Sequence, residues 1–368
     1  MKRSKRTYLW GMEKRFRIHP QLLPWLMGGG IVLLNLLLKL WQAGETSLYL
    51  DEGASIFYAQ MDGDAFAAFL NQDASPPLYY WLLHGWMAIV GDDLGVLRGL
   101  SGAISSLAAI GIFALGKRFF SNYAGLLAAL LFTFSNLHFQ YAQEVRCYAL
   151  LGMLSVWSMY FLLGMVRDRR WSDFLGLMLV NLGILGTHYA GFALLLAQGL
   201  IMLAILPFDF KRVLRYALSQ MPLLALALIL ILKDVNADKL GATSWLTAPK
   251  APMLLKILSP FSGNSFMALA IICVFAIGMG ALLWQWRQGE TAAGKKLRLF
   301  LVLLAWPLLG LLVAWLISQW MPFFIAKYLA HIGIGWLVAA AIAVGQLPFR
   351  RWGKWAVGLF LLCGTLFL

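Results

Sequence analysis

Apolar residues run in long uninterrupted blocks along this chain. Eleven of them read as membrane-spanning helices: 22–41, 97–116, 122–141, 147–166, 172–189, 190–208, 213–233, 265–286, 297–319, 325–346 and 354–368. Crossing roughly 30 Å of hydrocarbon takes about 17–25 residues of helix. A twelfth apolar run, Leu78–Val90, has only 13 residues. As helix it reaches about 20 Å, and runs this short more often lie at the interface. Ahead of it Ile56, Phe57, Met61, Ala65, Phe66 and Phe69 recur at helical spacing, with Gln60, Asp62, Asp64 and Asn71 off that face. That pattern predicts one amphipathic helix lying on the membrane surface. Asp73-Ala-Ser75-Pro76-Pro77 then reads as the entry to the second surface helix, because proline is tolerated in a first helical turn.

The predicted fold is an all-α polytopic membrane protein. A basic segment, 1–21, precedes one transmembrane domain, 22–368, with a first long outer loop at 42–96 and a second at 234–264. Composition agrees: 61% of residues are hydrophobic, 12% are charged and the mean hydropathy is +0.76. A soluble domain is about a quarter charged, so a soluble, a disordered and a fibrous protein are all excluded. The three cysteines, Cys147, Cys273 and Cys363, are scattered and suggest neither a disulfide framework nor a metal site. Sixteen Trp and twelve Tyr suit two membrane–water interfaces.

The net charge of +14 is a topology signal rather than a nucleic-acid signal. If Leu78–Val90 does not span and the N-terminus is cytoplasmic, 22 of the 30 basic residues fall inside, as the positive-inside rule prefers. Letting Leu78–Val90 span would move fifteen of those residues outside. Lys39 lies near the outer end of the first span, where it is expected to snorkel. Eleven of the 16 acidic residues fall outside. The first apolar block is too long for a signal-peptide core and no small-x-small site follows Trp41, so it reads as a retained anchor.

The unusual chemistry lies on the outer side. Asp51 and Glu52 sit at the amino end of the amphipathic segment, where the helix dipole favours carboxylates. Asp51 is either the N-cap of that helix or a reactive carboxylate. Gln143-Glu144-Val-Arg146-Cys-Tyr148 marks the junction of the third and fourth spans. Glu144 and Arg146 are two apart and do not face each other on a helix. Arg146 therefore either pairs with Asp51 or Glu52, or holds a phosphate, for which a guanidinium is suited. His188-Tyr189 ends the fifth span and Lys327-Tyr328 begins the tenth, after Pro322, on the same side. Single residues of this kind at helix ends are usually interface anchors. Lys239, Lys250 and Lys256 of loop 234–264 read as solvated.

Taken in order, the acidic pair, the Pro-Pro-Leu-Tyr-Tyr helix, the Gln-Glu-x-Arg-x-Tyr junction, the His-Tyr-Ala-Gly-Phe turn and the late basic-Tyr pair resemble a known family. It is the polyprenyl-phosphate-sugar-dependent glycosyltransferases of the GT-C fold, which include protein O-mannosyltransferase-like and lipid-A aminoarabinose transferase-like membrane enzymes. The resemblance is best from Leu48 to Phe192. It implies sugar transfer with inversion, from a polyprenyl-phosphate donor to an acceptor glycan, lipid or protein, on the extracytoplasmic face of the cell membrane. It implies Asp51 as general base, with Glu52 as its supporting neighbour, and Arg146 and Lys327 as ligands of the donor phosphate. Glu144, Tyr148, His188, Tyr189, Tyr328 and Ser75 are further site candidates. Asp51 and Glu52 are also the candidate ligands of a divalent metal, since hard cations prefer oxygen. Ser75 stands where many relatives have His or Lys, and Lys327 where Arg is frequent. The sequence ends at Leu368 on an apolar helix, which implies a reduced acceptor-recognition part. A lipid-linked sugar transporter or a non-catalytic assembly subunit are the competing readings. Transporters place ionisable groups near the membrane midplane, and these spans are nearly free of charge.

Overall fold

The computed structural model describes residues 22–72, 75–205, 209–235 and 246–366. Among them no strand occurs. The chain opens with α1 (Leu23–Leu40), followed in the first loop by α2 (Leu50–Ala59), α3 (Gly63–Gln72) and α4 (Leu78–Val90). Next come α5 (Leu94–Phe119), α6 (Asn122–Phe134), α7 (Asn136–Ala142), α8 (Tyr148–Arg167) and α9 (Trp171–Thr187). A single 3-10 turn, Tyr189–Gly191, leads into α10 (Phe192–Leu200), which ends in a π turn at Ile201–Ile205, and α11 (Phe210–Val235) follows. Two short helices, α12 (Met253–Lys256) and α13 (Leu258–Ser262), precede α14 (Ser265–Arg287), α15 (Thr291–Ile317), α16 (Ala326–Gln346) and α17 (Arg351–Leu366). Each of the eleven predicted spans finds its helix or broken helix here. Among the described residues six are long and apolar enough by themselves to cross a bilayer, and the chain is a multi-pass membrane protein. Trp245, Lys239 and Asp73 lie outside the described residues.

The bundle is organised around α16, whose apolar window is 89% buried. It packs against α6, α8, α14 and α15. Its Trp336 donates Nε1–H to Ser262 Oγ at 2.8 Å, so the buried indole satisfies its one polar group. By contrast α11 is 17% buried in its apolar window and lies at the rim. Close crossings depend on small residues, as in membrane bundles generally. A Cβ on Gly116 of α5 would collide with the backbone of Gly125 of α6, so only glycine permits that crossing.

Two sequence expectations are corrected here. The amphipathic segment is two helices, because Gly63 adopts φ +52°, a conformation that β-carbon sterics penalise. The chain therefore turns, and Phe66, Phe69 and Leu70 of α3 fold onto Tyr80 of α4. Tyr58 stacks on Phe69 with ring centroids 3.7 Å apart, and His84 Nδ1 lies 2.9 Å from the Ala59 carbonyl. The second correction concerns Lys39, which does not snorkel. It is fully buried, with Nζ donating to Thr133 O at 3.0 Å and lying 4.3 Å from the Phe139 ring centre. The predicted span 122–141 breaks at Ser135, between α6 and α7. The break leaves the last carbonyls of α6 without intrahelical donors, and Lys39 supplies one.

Candidate functional site

The first long loop is held to the bundle by a carboxylate–guanidinium clamp. Arg98, near the start of α5, donates Nε–H to Glu52 Oε1 at 2.9 Å and Nη2–H to Oε2 at 2.7 Å. The same guanidinium donates to the carbonyls of Ala43, Thr46 and Ser47. Glu52 Oε1 also accepts the Val145 N–H at 2.9 Å, and Oε2 the Tyr49 N–H at 3.1 Å. Burial pushes the Glu52 carboxyl up, but the bonds from Arg98, Val145 and Tyr49 outweigh it and hold it below the usual carboxylate range. Both side chains are 2% exposed. Glu52 thus joins α2, α5 and the 143–147 loop, and its hydrogen bonds all serve that junction. It is also the residue that caps α2, through Tyr49 N–H, so the N-cap reading of Asp51 is wrong. Arg98 escaped the sequence reading. Its only signal was a lone cation inside an apolar helix, which needs a partner there.

Glu52 pointing inward leaves Asp51 pointing out. Asp51 Oδ2 lies 3.2 Å from Lys327 Nζ, with side chains 38% and 26% exposed respectively. Asp51's carbonyl accepts from Ser55 Oγ at 3.0 Å and from Arg146 Nη1 at 3.2 Å. Arg146 Nη1 also reaches Ser55 Oγ at 3.0 Å, which fixes the guanidinium beside α2. Arg146 Nε and Tyr148 Oη are buried without a hydrogen-bond partner of good geometry. Arg146 thus pairs with the backbone of the acidic segment rather than with either carboxylate. No three His, Cys, Asp or Glu side chains converge among the described residues. With Glu52 turned inward, Asp51 and Glu52 do not form the expected oxygen pair for a divalent cation.

An aromatic group closes the inner wall. The His188 ring lies 5.0 Å from that of Tyr328 and 6.1 Å from that of Tyr148, while Tyr148 and Tyr328 are 6.2 Å apart. Lys327 Nζ sits 5.3 Å from the Tyr328 ring centre, and the Arg146 guanidinium 5.7 Å from that of Tyr148. His188 Nδ1 accepts the Ala190 N–H at 3.0 Å, which leaves the proton of the neutral ring on Nε2. His188 can therefore offer Nε2–H as a donor.

Glu144 sits on the same loop as Arg146. Burial pushes its carboxyl up, against the bond from Gln140 Nε2 and the fields of Arg146 and Lys327. Its carbonyl accepts from Ser101 Oγ at 2.7 Å, fixing the loop to α5. The structure thus brings Asp51, Glu144, Arg146, Tyr148, His188, Lys327 and Tyr328 together from four separated parts of the chain. Two candidates stand apart. Tyr189 turns away to stack on Phe192. Ser75, at the mouth of α4, makes no hydrogen bond to the cluster among the described residues. The cluster offers two partly exposed carboxylates, two cations and an imidazole. That set suits proton acceptance next to an anion that must be held.

The family model for dolichyl-phosphate-mannose-protein mannosyltransferase matches residues 74–234. Two solved structures share the fold. ArnT from Cupriavidus metallidurans, bound to undecaprenyl phosphate, superposes with a TM-score of 0.65 at 14% identity, covering 89% of this chain and 62% of that one. The archaeal oligosaccharyltransferase AglB from Archaeoglobus fulgidus, in complex with an inhibitory peptide and a dolichol-phosphate, gives 0.53 at 12% identity, covering 92% and 55%. The chain thus spans about three-fifths of the first and just over half of the second. No curated protein matches the sequence. The fold is that of the GT-C glycosyltransferases, and the sequence resemblance to that group stands.

Proposed function

We propose that this protein is a membrane glycosyltransferase that moves a sugar from a polyprenyl-phosphate donor to an acceptor on the extracytoplasmic face, with inversion at the anomeric carbon. The observation that carries this reading is the Asp51–Lys327 ion pair beside Arg146, in a fold shared with ArnT bound to undecaprenyl phosphate and AglB in complex with a dolichol-phosphate. The N-terminus is then cytoplasmic, the bilayer that of the cell, and the lipid tail lies between spans.

In this mechanism the resting ion pair is a weak lock. An ion pair with side chains about a third exposed is worth roughly 0.2–1 kcal/mol, whereas a charge-assisted hydrogen bond to phosphate is worth about 1.5–3 kcal/mol. The donor phosphate therefore draws Lys327 away from Asp51, with Arg146 as the second cation. The freed Asp51 carboxylate accepts the acceptor's O–H proton as the oxygen forms its bond to the anomeric carbon. The bond from that carbon to the phosphate oxygen breaks, and its electron pair leaves with the phosphate, whose growing charge the two cations stabilise. His188 adds an Nε2–H donor.

Purified protein in proteoliposomes, given radiolabelled polyprenyl-phosphate sugar and membrane lipid as acceptor, is expected to move label from the donor onto a new product. Label that crosses the bilayer while still on its carrier would instead indicate a transporter. Lys39, a buried charge in a span, caps a helix break, and Arg98 is taken up by Glu52, so neither lends that reading support.

A further inference from the structure

At the end of the bundle opposite the Asp51 cluster, the α5–α6 turn, the start of α1, the end of α16 and the start of α17 enclose a cleft of about 510 Å³. Small-molecule sites run from about 300 to 1,000 Å³. Arg351 and Lys354, one turn apart on α17, line it together with Ser121, Tyr123, Phe349 and Trp355. No Asp or Glu is among the lining residues.

The walls are tied to one another. Lys354 Nζ donates to the Gly345 carbonyl at 2.7 Å, which covers the negative end of α16. The Lys354 carbonyl in turn accepts from Tyr123 Oη at 2.8 Å. Tyr123 meets Trp355 edge-on, with centroids 4.6 Å apart. Ser121 Oγ caps α6 by accepting the Ala124 N–H at 3.1 Å, and its own proton remains to be donated. Both α6 and α17 begin at this cleft, and helix amino ends carry positive partial charge. The polar side of the cleft is therefore positive from side chains and backbone alike. The other side is apolar, formed by Met27 and Leu126. Trp352, beside Arg351, is 84% exposed, and an indole so placed marks headgroup depth.

A free anion would need no apolar flank at that depth, whereas a phosphate carrying acyl chains needs both halves. We propose that the cleft binds the phosphate headgroup of an anionic glycerophospholipid of the surrounding bilayer. Arg351 and Lys354 face the phosphate, and Met27 and Leu126 face the upper acyl chains. The bilayer itself keeps such a site filled by mass action.

The test uses the full chain purified in zwitterionic detergent. Native mass spectrometry and thermal unfolding are read during titration with phosphatidylglycerol, phosphatidylcholine, undecaprenyl phosphate and inorganic phosphate. Phosphatidylglycerol is expected to be retained and to raise the melting temperature, phosphatidylcholine to do neither. Arg351→Gln, a change at an exposed side chain, should weaken retention about tenfold, and Arg351→Lys should restore most of it. Equal retention of phosphatidylcholine, or unaltered retention by Arg351→Gln, would overturn the proposal. So would displacement of phosphatidylglycerol by equimolar undecaprenyl phosphate or inorganic phosphate, which would assign the cleft to a different phosphate. Sugar transfer plays no part in these readings, so this site and the transfer reaction stand or fall separately.

Discussion

Replacing Asp51 by Asn separates the chemistry of this site from its architecture. The substitution keeps the side chain's shape and removes its charge. Little of the fold depends on that charge. The ion pair to Lys327 is 3.2 Å long with side chains 38% and 26% exposed, so its loss costs under about 1 kcal/mol. The cap of α2 survives, because Tyr49 N–H is held by Glu52. The bonds to Ser55 and Arg146 also survive, because they use the Asp51 carbonyl. Donor affinity is expected to stay level or to rise by up to about fivefold, since the Asp51 carboxylate no longer competes with the phosphate for Lys327. The transfer rate is expected to fall by about two to four decades, the usual contribution of a positioned general base. Single-turnover transfer of radiolabelled sugar in proteoliposomes gives the rate, and equilibrium binding of the unlabelled donor gives the affinity. Near wild-type transfer by folded, donor-binding Asp51→Asn protein would refute the assignment and leave the carboxylate as a partner for Lys327 alone.

The neighbouring carboxylate should behave oppositely: Glu52→Gln breaks a buried pair, is expected to destabilise by about 3–5 kcal/mol, and should be read by thermal unfolding in detergent. Its effect on transfer should follow the folded fraction. Arg146→Ala and Lys327→Ala are each expected to weaken donor binding by one to two decades, for a contact worth about 1.5–3 kcal/mol. Unchanged affinity in both would reduce them to structural anchors. A cysteine at Asp93 should react with an impermeant thiol reagent from outside the cell, and one at Lys117 should not. The reverse pattern would invert the proposed orientation.

The long apolar blocks specified the helices, because a membrane forces every spanning segment to satisfy its own backbone. Leu78–Val90 emerged with the predicted ends, fixed by Pro77 before it and Gly91 after it. The order of motifs from Asp51 to Tyr328 also marked the residues that meet at the site. What the sequence left open was which member of each polar pair points where. Asp51 and Glu52 are adjacent, and a helix sends adjacent side chains about 100° apart. Only the position of Arg98, 46 residues on, decides that Glu52 turns inward and Asp51 remains exposed. The pairing of Asp51 with Lys327, 276 residues away, has no local signal either. Gly63 and Ser135 show the same limit within single elements. Apolar periodicity continues across both, and the turn at Gly63 and the break at Ser135 become favourable only because Tyr80 receives the phenylalanines of α3 and Lys39 receives the Thr133 carbonyl. Periodicity is a property of neighbouring residues and survives in the sequence, whereas the satisfaction of a buried charge or an orphan carbonyl depends on distant partners that only packing brings together.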